Sequence, residues 1–581
     1  MSPFQFETWD SILYNVEKNV LGLLIGFILL FVLLLQLLNE KNTIRFSNLD
    51  LLLLIYCIFQ LIHAIVFIPI NLDPIFIIEN TLLIILYVCF RNIKRSQLTT
   101  FYWVFILAGI HQIYFGLIKQ TNWFAPGYNL TDLKGSFINQ GPFAGFIACL
   151  IVIVFGLLLN SFRKKRIKYR FLTFIYLFLF TFFVLILFYT NSRAAWFGGL
   201  VGLVFFIWCF FGINFWITKL LKTYISKTIF YVSSLVLVFG FLYSLYNLKK
   251  DSANGRILIW KVVAEMISDA PLLGQGINSF PSNYMHYQGT YLGENLKEPL
   301  KNLAGNTNYA FNEILRLTAE QGLIGLSLIG VLVFFYIFKF RKQKNPLEND
   351  RFIIISKSGL IVIFTFGLFS YPMDILQLKI IFLFFLANLS TSEPKKTNFN
   401  KRLRKKFVLI GILFIILLGS YKTYKIGSIY KEWNMTLLQL RKGNTKDYIR
   451  FSSNNYILLN SNGYFLGYFA KSLFKKKQYS KALELYHKAF KVIPSTTLCI
   501  DIGKCYEKLE NYEMAEVFWV KAKNMAPSQF KPEYLIAKMY FDNGDKEKAK
   551  EIAIDLLNNR HIKIYSIEVY EIIEALKNII K

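Results

Sequence analysis

Acidic residues, histidine and proline are scarce in this chain of 581 residues. Only 36 residues are Asp or Glu, against 66 Lys and Arg, and the chain holds 5 histidines and 14 prolines. It has no Walker sequence, HExxH, GxSxG or CxxC pair, so nucleotide-driven transport and common hydrolase chemistry lack support. The six cysteines show no metal-ligand spacing. We therefore expect neither a metal ion nor another cofactor.

Long apolar runs dominate the first two thirds of the chain. Hydrophobic residues make up 55% of the sequence and charged residues only 18%. Runs near 20 residues are each long enough to cross a hydrocarbon core of ~30 Å, so we predict an all-α, polytopic bundle of about twelve membrane-spanning helices. The predicted spans are 21–38, 51–70, 75–90, 101–118, 143–160, 171–189, 194–215, 229–247, 322–340, 353–370, 374–389 and 407–420.

The net charge of +30 has two possible explanations. One is nucleic-acid binding, and the other is the excess of Lys and Arg in the cytoplasmic loops of membrane proteins. The basic residues cluster in the loops that follow every second predicted span, such as 162–170 and 401–406. This alternation favours the explanation by cytoplasmic loops. We expect no nucleic-acid partner, and we place both termini and the loop 249–321 outside the cytoplasm.

A loop of some seventy residues, 249–321, far exceeds the usual connection and is typical of a functional segment. Within it, residues 256–268 have apolar side chains at helical spacing. We therefore predict a helix near the membrane surface.

The C-terminal part is polar and repeats itself. Four residues recur at an offset of 33: Tyr479, Ala482, Ala489 and Pro494 are followed by Tyr512, Ala515, Ala522 and Pro527. This period resembles tetratricopeptide repeats, which are stacked pairs of helices. We predict a transmembrane domain over 1–420, a helical linker over 421–453 and an α-solenoid of such repeats over 454–581.

Two arginines occupy unusual places on the predicted outer face. Arg193 lies between two apolar spans, where a charge is costly and often functional. Arg256 opens the predicted surface helix, and a guanidinium can hold a phosphate through two parallel hydrogen bonds. The alternatives are that Arg193 extends to the membrane interface and that Arg256 is an ordinary exposed residue. The residues alone do not choose between these explanations.

Five short motifs follow one another between residues 100 and 390, and together they resemble the O-antigen ligase and polymerase superfamily. The motifs are Gly135-Ser136-Phe137-Ile138-Asn139; Ser192-Arg193; Gly255-Arg256 with Trp260; Pro271-Leu272-Leu273-Gly274-Gln275-Gly276; and Phe311-Asn312-Glu313 with Glu320-Gln321-Gly322.

The resemblance implies a glycosyltransferase of the GT-C kind that works without a metal ion. Such an enzyme moves a glycan from undecaprenyl diphosphate to an acceptor on the periplasmic face of a Gram-negative inner membrane. By the same resemblance, Arg193 and Arg256 engage the diphosphate. The motif residues Asn139 and Asn312 are further candidates for substrate binding.

One family feature is missing, because the ligases have a histidine where this chain has Phe311. Glu313, Glu320 and His286 are the candidates for a replacement base, and the two carboxylates share a face if their segment is helical. In the alternative explanation, Glu320 anchors the start of a span and His286 is a surface residue. Departure of the leaving group can also make a base unnecessary.

The acceptor remains open among lipid A core, a second lipid-linked glycan and a protein hydroxyl. The repeats suggest recognition of a protein partner or a large acceptor, because solenoids present extended concave surfaces. Two competing classes are a transporter of lipid-linked sugars, which predicts internal symmetry and broken helices at mid-membrane, and a membrane scaffold.

Overall fold

The chain is α-helical throughout the part that the structure describes. This computed structural model describes residues 26, 27, 31, 47–67, 74–120, 133–137, 139–162, 167–221, 223–295, 297, 299–338, 351–390, 402–558 and 567–581. No strand occurs within these ranges, which confirms the all-α class for them.

Thirteen helices are described in the apolar part. Eight come first, two lie in the loop 249–321, and three follow the loop. The first eight are α1 (Asn48–Phe67), α2 (Pro74–Arg91), α3 (Leu98–Gln120), α4 (Gln140–Phe162), α5 (Ile167–Tyr189), α6 (Arg193–Phe211), α7 (Ile213–Leu220) and α8 (Tyr224–Leu248). The others are α9 (Lys250–Asp269), α10 (Phe280–Glu294), α11 (Glu313–Phe338), α12 (Arg351–Gly367) and α13 (Leu376–Ser390).

Helix α4 forms the centre of the bundle. It is apolar on all sides, as expected for a helix surrounded by protein, and most of its residues are buried. It packs against α5, α6 and α12, and α6 packs in turn against α12. The candidate site lies at one end of this group of helices.

Seven helices within the described ranges are long and apolar enough to cross a membrane. They are Leu49–Phe67, Arg95–Leu117, Gln140–Phe162, Tyr169–Tyr189, Arg193–Phe211, Tyr224–Leu248 and Glu313–Phe334. Helices α2, α12 and α13 and the first part of the helix at 402–441 cover four further predicted spans. The predicted span 21–38 lies almost entirely outside the described residues, so the total of twelve stays a prediction.

Two predicted spans differ from the observed helices. The predicted span 194–215 ends at Phe211, because Gly212 adopts a left-handed conformation with φ 61° and a short separate helix follows. The predicted span 322–340 is the second part of α11, which begins at Glu313 and is interrupted at Gly322. The helix predicted over 256–268 is present within α9, and its position near the membrane surface stays a prediction.

The C-terminal part consists of helices connected by short turns. They are α14 (Arg402–Arg441), α15 (Thr445–Leu459), α16 (Gly463–Lys475), α17 (Tyr479–Val492), α18 (Thr496–Lys508), α19 (Tyr512–Met525), α20 (Lys531–Asp542), α21 (Lys546–Asn558) and α22 (Ile567–Ile580).

Consecutive helices in this part pack as pairs, namely α16 with α17, α18 with α19 and α20 with α21. Tyr479 and Tyr512 begin the second helix of the first two pairs, in agreement with the offset of 33. Helix α14, 40 residues long, runs from the predicted span 407–420 through much of the predicted linker. The tetratricopeptide assignment and the three domain ranges stay predictions.

Candidate functional site

Three basic side chains meet where α6, α8 and α9 come together. Arg193, the first residue of α6, donates hydrogen bonds from Nη1 to the carbonyl oxygens of Leu245 and, at 3.3 Å, Tyr246. These carbonyls are near the end of α8, where a helix leaves acceptors without a partner. Lys249, the next residue after α8, donates from Nζ to the Asn191 carbonyl at 3.4 Å.

Arg256 completes this cationic pocket, which we define as Arg193, Lys249 and Arg256. Desolvation lowers the pKa of the Arg256 guanidinium to about 10, and the charge of Arg193 acts in the same direction. Desolvation also lowers the pKa of Lys249, and the charges of both arginines add to this effect. The three cations are therefore close enough to repel one another.

Among the residues that the structure describes, no carboxylate is paired with the cationic pocket. Within the described ranges, none of its three members forms an ion pair with Asp or Glu. Arg193 and Arg256 are partly buried and Lys249 is exposed. A partly buried group of like charges is unfavourable unless an anion joins it. The arrangement suits an anion with several oxygens, such as a diphosphate.

An aromatic cluster lies beside Arg256. The guanidinium carbon of Arg256 is 5.4 Å from the centre of the Phe311 ring, and Phe311 meets Tyr371 edge-on at 5.3 Å. Tyr309 stacks on Tyr371 at 3.9 Å with an angle of 6° between the rings. Asn139 donates a hydrogen bond from Nδ2 to the Tyr371 hydroxyl at 2.7 Å. Three of the sequence motifs therefore meet here.

An acidic cluster at the start of α11 holds the turn that carries Tyr371. Glu313 accepts a hydrogen bond from the Met373 backbone N–H at 2.7 Å and pairs with Arg316 Nε at 3.2 Å. Arg316 also pairs with Asp374. The structure thus places the candidate base Glu313 in an ion-pair network.

Two other predicted site residues lie at the starts of helices. Glu320 accepts a hydrogen bond from the Phe280 backbone N–H at 3.3 Å, where a carboxylate complements the positive end of the α10 dipole. Asn312 Oδ1 accepts from the backbone N–H groups of Ile314, at 2.9 Å, and Leu315, at 3.1 Å. Asn312 is therefore the N-cap of α11.

The two glycine motifs form one interlocked structure. Gly322 interrupts α11 with φ 65° and ψ −170°, and the segment 271–276 supplies hydrogen-bond partners on both sides of the interruption. A Cβ atom on residue 322 would lie 2.1 Å from the Leu272 carbonyl oxygen. The four backbone bonds run from Gln275 to Ala319 at 2.9 Å, Gly276 to Glu320 at 2.9 Å, Leu323 to Pro271 at 2.9 Å and Ile324 to Leu272 at 3.2 Å.

His286 lies between α10 and the C-terminal helices. Its ring meets Phe490 edge-on at 4.9 Å. Burial lowers the pKa of His286 to about 4, and the charge of Lys521 acts in the same direction. The neutral imidazole therefore packs at the contact between the long loop and the repeats.

The long loop and the C-terminal helices are joined by polar contacts and a shared apolar core. Asn306 donates to Thr496 Oγ1 at 3.0 Å and accepts from the Thr496 backbone N–H at 3.1 Å. Asn308 donates to the Tyr464 hydroxyl at 3.1 Å. The C-terminal helices therefore help to fix the position of the segment that carries Tyr309 and Phe311.

Sequence reasoning missed Lys249 and Tyr371. A signal for Lys249 was present, since it is a basic residue that directly follows a predicted apolar span. No comparable signal marked Tyr371, one of 34 tyrosines, because it lies in a turn between two predicted spans and outside the five motifs.

The fold and the site together define a helical, multi-pass membrane protein with a cationic pocket at one end of its bundle. Residues 178–330 match the family described as "O-Antigen ligase". This segment includes all three pocket cations, and it belongs to the O-antigen ligase superfamily.

Curated relatives agree with this family. A "Putative polysaccharide ligase" of Rickettsia conorii is 35% identical over 131 residues, which are 22% of this chain and 28% of that protein. A protein of the same description from Rickettsia bellii is 34% identical over 131 residues, which are 22% of this chain and 29% of the relative. The aligned part thus spans less than a third of either relative.

Proposed function

We propose that the chain is a membrane glycosyltransferase that moves a glycan from undecaprenyl diphosphate to an acceptor hydroxyl on the periplasmic face of a bacterial inner membrane. The observation that carries this proposal is the cationic pocket, in which two partly buried arginines and the exposed Lys249 form no ion pair with a carboxylate of the described residues. A diphosphate supplies the missing negative charge, and the polysaccharide ligase relatives indicate a glycan as the transferred group.

In this mechanism Arg193, Lys249 and Arg256 bind the diphosphate. The acceptor oxygen forms a bond to the anomeric carbon, and the bond from that carbon to the diphosphate oxygen breaks. The electron pair stays on the diphosphate, where the three cations stabilise the growing charge. The acceptor proton passes to water, and no metal ion is required.

The contacts of the three candidate bases favour structural roles. Glu313 is engaged with Arg316 and Met373, Glu320 with Phe280, and the neutral His286 packs beside the repeats. This supports a reaction in which departure of the diphosphate contributes more than deprotonation of the acceptor.

The contact between the long loop and the repeats supports their placement on one side of the membrane. Asn306 and Thr496 bridge the two parts directly, and the loops rich in Lys and Arg belong to the other side. We therefore place both the loop 249–321 and the tetratricopeptide-like domain in the periplasm. A protein or another large acceptor is favoured, while lipid A core or a second lipid-linked glycan remain alternatives.

The experiment is a surface-glycan profile of a deletion strain, complemented with the wild-type protein or with Arg256→Ala. Loss of all glycan from lipid core identifies a ligase, and single units left on the core identify a polymerase. Loss confined to the protein fraction identifies an oligosaccharyltransferase. An unchanged profile in the deletion strain contradicts both the enzyme and the transporter of lipid-linked sugars, and leaves the scaffold class.

A further inference from the structure

We propose that the Tyr371 hydroxyl is a catalytic group, which donates a hydrogen bond to the diphosphate oxygen from which the glycan departs. The inference rests on the proposed function, because it assigns a role within the same site. It concerns a residue that lies outside all five motifs.

Residues from distant parts of the chain converge on Tyr371. Asn139, just before α4, donates to its hydroxyl at 2.7 Å, and Tyr309 in the long loop stacks on its ring at 3.9 Å. The Phe311 ring lies 5.3 Å from the Tyr371 ring, and its centre is 5.4 Å from the guanidinium carbon of Arg256. The position of the family histidine is thus filled by a side chain that contacts both Tyr371 and Arg256.

The backbone next to Tyr371 is fixed as well. Glu313 accepts from the Met373 N–H at 2.7 Å, and Arg316 pairs with both Glu313 and Asp374. Tyr371 itself is only 4% exposed. A donor that is already held in place before the reaction does not have to be reoriented in the transition state, which is the condition for strong electrostatic catalysis.

The surrounding groups determine the direction of the hydrogen bond. A phenol has one O–H donor, and its oxygen can accept. Asn139 already donates to this oxygen, and the nearby Arg256 guanidinium is also a donor without acceptor capacity. A diphosphate bound in the cationic pocket is an acceptor, so it suits the phenolic O–H.

The covalent balance of the step is unchanged by this assignment. The bond between the anomeric carbon and the diphosphate oxygen breaks, and the new bond to the acceptor oxygen forms. The departing oxygen keeps the electron pair and receives the hydrogen bond, while Tyr371 retains its proton. The acceptor proton passes to water.

Tyr371→Phe tests the hydroxyl while it keeps the ring. Complemented deletion strains give the initial rate of glycan transfer per molecule of protein, and calorimetry on the purified full chain gives the affinity for inorganic pyrophosphate. We expect transfer to fall by about 10²-fold, the usual effect of removing one such donor. Pyrophosphate affinity should change by less than about threefold, because the hydrogen bond strengthens only as charge develops.

Tyr102→Phe is the matched control. Tyr102 is also buried, and its hydroxyl also lies near an asparagine amide, that of Asn388 at 3.4 Å, but it belongs to the core of the bundle. We expect wild-type transfer from this variant. Asn139→Ala, which removes the hydrogen bond from the Asn139 amide to the Tyr371 hydroxyl, should lower transfer without lowering pyrophosphate affinity.

The outcomes separate this inference from the proposed function. If Arg256→Ala is inactive and Tyr371→Phe transfers at the wild-type rate, the role of Tyr371 is wrong and the proposed function stands. Equal losses of pyrophosphate affinity and transfer in Tyr371→Phe would show a structural role and would overturn the inference. If Arg256→Ala transfers normally, the proposed function itself fails and the inference fails with it.

Discussion

Arg91 and Arg256 show two different environments for a cation that is withdrawn from water. The side chain of Arg91 is 5% exposed, and its Nε lies 3.2 Å from both carboxylate oxygens of Asp50. Arg256 instead shares its surroundings with Arg193 and Lys249. The first environment supplies the counter-charge from the protein, whereas the second lacks it.

The neighbours of Asp50 complete the first environment. Tyr87 donates its hydroxyl hydrogen to Asp50 Oδ1 at 2.7 Å, and the Ser47 backbone N–H donates to Oδ2. The pair thus links the start of α1 to the end of α2. A buried cation with a carboxylate partner serves structure, whereas a group of cations without one is suited to a ligand. The following predictions test this distinction.

The largest expected effect is on glycan transfer by Arg256→Ala. Removal of a positive charge that stabilises the leaving diphosphate should lower transfer by about 10³-fold. Protein accumulation should stay near the wild-type level, since the substitution relieves repulsion between like charges. Transfer rate and protein level are measured in the same membranes. A fall in protein level that accounts for the lost transfer would contradict the distinction.

Arg91→Ala should lower the stability of the protein and leave glycan transfer nearly unchanged. The substitution leaves Asp50 buried without its cation, which typically destabilises a protein by about 3–5 kcal/mol. We expect a lower melting temperature and lower accumulation, with near-normal transfer per folded molecule. The double variant Asp50→Ala, Arg91→Ala is the control, because it removes both charges and should be less destabilised than Arg91→Ala alone. Equal stability of the two variants would show that the charge pair is unimportant.

Gly322→Ala tests how far glycan transfer depends on the backbone geometry that connects segment 271–276 to α11. Gly322 has φ 65° and ψ −170°, a region that is essentially open only to glycine and costs other residues about 1–3 kcal/mol. The collision of the new Cβ with Leu272 adds to this cost, so both stability and transfer should fall.

Gly330→Ala is the matched control on the same helix. A Cβ atom at Gly330 meets no atom within 4 Å, and alanine favours a helix by up to about 1 kcal/mol over glycine. The change in melting temperature relative to the wild type should therefore differ in sign or size between the Gly322→Ala and Gly330→Ala variants. Equal destabilisation would contradict the role assigned to the interruption of α11.

The local pattern of apolar residues and the order of the motifs predicted the helices and several residues of the site. The apolar run and its flanking charges located Arg193, and the spacing of apolar residues located the helix of Arg256. Contacts between distant segments, such as those of Tyr371 with Asn139 and Tyr309, leave no periodic signal. The sequence could not predict them.

The same limit applies to Glu313, Glu320 and His286. Their residue types suit a base, but residue type does not say which partner a side chain has already found. Glu313 pairs with Arg316, and His286 packs on Phe490. The partners are fixed by tertiary packing, so chemistry inferred from sequence alone remained open between catalysis and structure.

The smallest expected effect concerns Lys249 and is best measured as pyrophosphate affinity against pH. Because desolvation and the charges of both arginines lower the pKa of Lys249 from its ordinary value of 10.5, its positive charge is lost earlier than usual as the pH rises. Affinity should therefore weaken on the alkaline side, and Lys249→Arg should move the part of this loss that comes from Lys249 to higher pH, while the part from Arg256, whose pKa is lowered to about 10, should stay.

At neutral pH, Lys249→Gln should weaken pyrophosphate binding by about fivefold, as expected for one solvent-screened charge. Lys250→Gln is the control, since Lys250 is the exposed neighbour of Lys249 and should change the affinity by less than about twofold. If both variants weaken binding equally, the anion responds only to general positive charge near the membrane. A larger effect at Lys249 means that Lys249 belongs to a specific anion-binding site, which sets the cationic pocket apart from the Arg91 pair.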